Sequence, residues 1–197
     1  MKFLFIGNSY TFFHDMPTAL FLPLVRTADP KAEVTSVTRG GWYLSRFADP
    51  KNEEGIRLRE VIRDEHYDCV VLQDQSCNPV RNEEKFIASV GALKALLEPH
   101  TTHFVLYSTW GRCDGNPMLA ELGLSSKEMT ERLDAAYCRA GEVWGMTVAR
   151  VGRAFWEYGA EPPVKELYDP DLSHPSLAGS RLAASVIWDA VKQELAR

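Results

Sequence analysis

The chain has 197 residues, 45% of them hydrophobic and 25% charged, with a net charge of -5 and a pI near 5.6. This ordinary globular composition suffices to bury one sizeable core, and one domain over residues 1–197 is expected. The acidic balance, with no basic run carrying interleaved aromatics, argues against nucleic acid as a partner, and no stretch approaches the roughly 20 apolar residues of a membrane span.

In chain order, Phe3-Leu4-Phe5-Ile6 reads as a buried parallel strand over Lys2–Gly7, followed at once by Gly7-Asn8-Ser9-Tyr10-Thr11. The run is too short, and too soon interrupted by Asn8, for a signal peptide, so a cytoplasmic protein is expected. A helix is predicted over 16–27, N-capped by Asp15 and helped by Pro17, before a second strand at Glu33–Thr38. A charged surface helix follows over 53–65, then a third strand over 69–73. Apolar residues at Phe86, Ile87, Val90, Leu93 and Leu97 predict a packed helix over Glu83–Leu97. A fourth strand is expected over 103–108, a helix over Ser126–Trp144, a fifth strand over 147–151, an irregular stretch over 158–170 and a closing helix over 176–195. Strands alternating with helices predict an α/β fold, a flavodoxin-like three-layer α/β/α sandwich around a five-stranded parallel sheet. Ligands bind such sheets at the carboxyl ends of the strands.

Ser9 lies just past the first strand, on that edge. At the other end of the chain, Asp171-Leu172-Ser173-His174-Pro175 puts a carboxylate three residues before a histidine, close enough to fix the imidazole's tautomer. Ser9, His174 and Asp171 could thus supply a nucleophile, its base and the base's orienter. Taken singly, each has a plainer reading: Gly-Asn-Ser is common turn vocabulary, and a histidine before a helix with Pro175 as its first residue can be a polar cap.

Together these blocks resemble the SGNH hydrolases, or GDSL-type esterases, along nearly the full length of the chain. Gly7-Asn8-Ser9 resembles the first block, with Ser9 as nucleophile. Arg39-Gly40-Gly41 resembles the second, whose glycine N–H helps hold the oxyanion. Asp171 to Pro175, with Gly179 and Ala183, resembles the last and most specific block, which completes the triad. Two departures stand out. Asn8 replaces the usual aspartate, so it can position the turn but adds no charge. The family's Gly-x-Asn-Asp falls on Gln73-Asp74-Gln75-Ser76, so the usual oxyanion asparagine is missing. Gln75 aligns with it and can donate through its amide, with Gln73 and Asn78 as fallback donors; the alternative is that Gln75 only satisfies loop backbone groups. These variant motifs resemble a Gly-Asn-Ser branch of the superfamily.

The resemblance implies a serine esterase acting on a small acyl ester, an O-acetyl group on a carbohydrate being one such substrate. An acyltransferase using the same triad and a non-catalytic carbohydrate-binding protein are the alternatives. Asn8, Trp42, Trp110 and Arg112 are expected to meet substrate, with Tyr43 and Asp114 nearby; closing the core, or forming an Arg-Asp ion pair, is the plainer role for such residues. The histidines have no metal-ligand spacing, no nucleotide-binding loop follows the first strand, and neither metal nor cofactor is implied. The four cysteines lack paired spacing; Cys69 reads as core, Cys77 and Cys113 as loop thiols that would react only with a lowered pKa.

Overall fold

A computed structural model describes residues 1–197. Five strands, β1 (Lys2–Gly7), β2 (Glu33–Thr38), β3 (Cys69–Leu72), β4 (Phe104–Tyr107) and β5 (Thr147–Ala149), form an all-parallel sheet in the order β2-β1-β3-β4-β5. This is the flavodoxin-like order, and it reverses between β1 and β3, where such folds place their ligand crevice.

The alternation of side chains along a strand builds the two outer layers. Phe3 and Phe5 face one apolar cluster with Phe21, Phe155 and Ile187, whereas Leu4 and Ile6 face another with Phe47, Phe86 and Tyr137. The first layer is made by the segment after β1, by α9 (Val151–Glu157) and by α10 (Leu177–Leu195). The second is made by α3 (Leu44–Ala48), α4 (Glu53–Ile62), α6 (Glu83–Leu97) and α8 (Ser126–Trp144). Helix α8 begins with a reciprocal capping box between Ser125 and Glu128, and Ser176 caps α10 through Gly179 N.

Several local expectations are corrected. The helix over 16–27 is instead a π-turn, Met16–Phe21, running into α2 (Leu22–Arg26). Pro23 has no N–H to give the Ala19 carbonyl, and the ladder widens there. Asp15 makes no cap bond; it and His14 sit at φ +48° and +55°, in the left-handed region. Helix α4 stops at Ile62, its last buried residue. Pro175 is not in α10 but forms an isolated antiparallel bridge with Tyr168. Short helices α1 (Ser9–Phe12), α5 (Asn78–Arg81) and α7 (Pro117–Leu122) add to the expected elements. No helix is long and apolar enough to cross a membrane.

Candidate active site

The loop after β1 is shaped by competition for space and donors. A Cβ on Gly7 would come within 2.3 Å of Thr11 Oγ1 and 2.7 Å of Gln73 Oε1, so only glycine fits. Gln73 reaches this point to accept from Asn8 N at 2.9 Å and Thr11 Oγ1 at 2.8 Å. Asn8 then caps α1, its Oδ1 accepting from Tyr10 N at 3.1 Å, while its Nδ2 donates to the Trp42 carbonyl at 3.1 Å. An aspartate could make the first bond but not the second. Asn8 thereby ties the first loop to the second and sets Ser9 at the start of α1.

Ser9 Oγ is 2.8 Å from His174 Nε2 across 165 residues of sequence. His174 Nδ1 is 2.5 Å from Asp171 Oδ2, and Asp171 Oδ1 accepts from Ser173 N and His174 N, both at 2.9 Å. With the Nδ1 proton held by the carboxylate, Nε2 faces the serine as an acceptor. Burial raises the Asp171 pKa, but the His174 imidazole and these backbone N–H groups outweigh it and hold the carboxyl below its usual range. Leu172, at φ +58°, makes the turn that lets one carboxylate receive all three bonds. The turn is pinned from beneath: Cys113 N donates to the Leu172 carbonyl, Trp110 Nε1 to the Ser173 carbonyl, and Tyr10 Oη pairs with Ser173 Oγ at 2.9 Å.

The structure brings Asn8, Ser9, Tyr10, Gly41, Gln75, Ser76, Arg112, Ser173 and His174 around one cavity of about 200 Å³. Three donors on it have no acceptor in the chain: Ser9 N–H, Gly41 N–H and Gln75 Nε2. Gly41 adopts φ +71° with nothing within 4 Å of a would-be Cβ. Gly40 lies outside the cavity. Gln75 satisfies the loop backbone, its Oε1 accepting from Cys77 N and Asn78 N at 2.7 and 3.0 Å, and its amide nitrogen is left without an acceptor. The fallback donors are consumed. Gln73 Nε2 donates to the Asp74 carbonyl, and Asn78 Nδ2 to Asp74 Oδ2 at 2.6 Å.

Packing sets where the other candidates stand. Trp110 has no exposed surface; it is stacked between Tyr10 at 4.8 Å and Phe155 at 3.9 Å, below the cavity floor. Trp42 lies under the Arg39 and Arg46 guanidiniums, beside the cavity rather than on it. Asn8 borders the cavity, but both ends of its amide are occupied. Arg112 borders it too, without the Asp114 ion pair of its plainer reading, its Nη2 donating to Ser76 Oγ at 2.8 Å. Cys77 and Cys113 are buried, and burial raises both thiol pKa values, the opposite of activation.

Phe13 is the residue that motif reading missed. Its ring stacks on His174 at 4.2 Å with an interplanar angle of 8°. The only signal for it is the aromatic pair Phe12-Phe13 close behind the serine, which has no periodicity to mark it.

No protein-family model and no curated protein sequence matches the chain. Among solved structures, it is 32% identical to a protein from Slackia heliotrinireducens described as a candidate SGNH hydrolase, with a TM-score of 0.84 over 96% of this chain and 98% of that one. It shares the fold of a DUF4886 family protein from Bacteroides uniformis, at 17% identity and TM-score 0.74, over 98% of this chain and 83% of that one. It also shares the fold of an acetyl xylan esterase from Geobacillus stearothermophilus, at 16% identity and TM-score 0.68, over 100% of this chain and 96% of that one. By fold, by motif and by its similarity to the Slackia protein, the chain belongs to the SGNH hydrolase family.

Proposed function

We propose that the protein is a serine esterase that removes a small acyl group, acetyl above all, through an acyl-enzyme. The observation that carries this reading is the hydrogen-bonded line from Ser9 Oγ through His174 to Asp171. In the proposed reaction, Ser9 Oγ attacks the ester carbonyl carbon as His174 Nε2 takes its proton, and Asp171 stabilises the imidazolium. The tetrahedral oxyanion falls to the three unused donors, Ser9 N–H, Gly41 N–H and Gln75 Nε2. Collapse expels the alcohol, which takes the proton from His174. Water, deprotonated by the same imidazole, then releases the acid and returns the serine proton.

A cavity of about 200 Å³ whose one hydrophobic lining residue is Tyr10 suits an acetyl-sized group better than a long acyl chain. The acetyl xylan esterase among its structural neighbours fits an O-acetylated carbohydrate as the natural ester. The test is p-nitrophenyl acetate hydrolysis by the wild type, Ser9→Ala and His174→Ala. Activity lost in both folded variants is the expected result; activity indifferent to Ser9 would overturn the reading.

A further inference from the structure

Arg112 has an electrostatic position that the proposed reaction does not use. Its side chain borders the same cavity as Ser9, yet the residue is only 7% exposed and forms no ion pair with any carboxylate. Its Nη2 donates to Ser76 Oγ and to Cys77 Sγ at 3.7 Å, and its guanidinium lies 5.3 Å from the Tyr10 ring centroid. Nη1 is buried with no partner at all. Burial lowers its pKa to about 10, which leaves it charged at neutral pH. A buried cation is ordinarily paired, because the protein must replace the water it has lost. The carboxylate whose charge is felt most at Arg112, Asp171, is bound to His174 and to two backbone N–H groups.

The cavity lining supports the same conclusion. None of its nine residues is acidic, in a chain of net charge -5. Ser76 Oγ accepts from Arg112, and the one side-chain partner of its own O–H is the Cys77 sulfur. A planar guanidinium beside a hydroxyl matches a planar carboxylate.

We propose that the substrate carries a carboxylate close to the scissile ester, and that Arg112, with Ser76, receives it. This deepens the esterase reading and rests on it for the word substrate. The carboxylate could belong to the acyl part, as in a half-ester of a dicarboxylic acid, or to the alcohol part, as in an O-acetylated hydroxy or sugar acid. The recognition chemistry is the same for both.

The test measures binding without turnover, by calorimetry on the Ser9→Ala protein. Monoethyl succinate is compared with diethyl succinate for the acyl side, and O-acetylglycolate with its ethyl ester for the alcohol side. At least one anionic ester is expected to bind tenfold or more tightly than its neutral counterpart, and which one does so identifies the source of the charge. Adding Arg112→Gln should abolish that preference. Should that variant fail to fold, Arg112→Lys, which keeps the charge but loses the fork, should reduce the preference at least threefold. Equal binding of charged and neutral esters, or a preference unchanged by both substitutions, would overturn the proposal. Hydrolysis of neutral p-nitrophenyl acetate by the wild type reports separately on the nucleophile, so the two readings fail independently.

Discussion

The two sides of the cavity treat their polar groups in opposite ways. On the Ser9, His174 and Asp171 side, every side-chain heteroatom of the relay has a partner, and the aromatic ring of Phe13 covers the imidazole. On the Gly41, Gln75 and Arg112 side, donors are left without acceptors. Of these Arg112 Nη1 is buried, and a buried unpaired donor costs roughly 1–3 kcal/mol, so a fold keeps it only where something else will satisfy it. The paired side reads as machinery assembled before substrate arrives. The unpaired side reads as the imprint of the charge that substrate brings.

The sharpest way to break the comparison is on the paired side. His174→Ala should lower kcat for p-nitrophenyl acetate by about ten-thousandfold or more, and Asp171→Asn by a similar factor, since the members of such a relay act as one unit. A loss under tenfold for either, in steady-state kinetics, would mean the relay does not carry the reaction. On the unpaired side, Gln75→Ala should cost about a hundredfold in kcat with KM little changed, because the donor acts on charge present only in the transition state. A change in KM alone would return Gln75 to its role in the loop.

Two smaller effects concern the supports. Asn8→Asp restores the residue usual in the family, yet here it should destabilise the protein by about 1–3 kcal/mol, because a carboxylate would face the Trp42 carbonyl with no proton to donate. Urea unfolding measures this, and an unchanged midpoint would show that the link between the loops carries no energy. Phe13→Ala should reduce kcat about three- to tenfold, in keeping with roughly 0.5–1.5 kcal/mol for a stacked aromatic pair, and Phe13→Tyr should restore it.

The smallest effect is on acid stability. The Asp171 pKa is depressed in the folded state, so its contribution is complete above the ordinary carboxylate value and is lost as pH falls through the folded one. Melting curves between pH 5 and 2 should therefore fall less steeply for Asp171→Asn than for wild type, by a small margin because the carboxylate is about half exposed.

The sheet and the ends of the relay were legible because each rests on a local pattern. Phe3 to Ile6 is too apolar to be anything but buried, and β1 and β2 run between the expected residues. Asp171 and His174 need only one turn of chain to meet. What stayed hidden depends on residues distant in sequence. Trp110 reads as a rim aromatic until Phe155 and Tyr10 close on both its faces. The free Gln75 nitrogen is visible only once Cys77 and Asn78 have taken its oxygen. The π-turn after Asp15 reflects Pro23, whose missing N–H defeats the helix that Asp15 and Pro17 predict.

The most direct measurement of the central claim, that Ser9 is the nucleophile, is covalent labelling with a fluorophosphonate followed by peptide mass spectrometry. The account predicts one adduct per chain, on Ser9, with the labelling rate falling at least a hundredfold in His174→Ala. An unmodified Ser9, or labelling that proceeds as fast without His174, would contradict it.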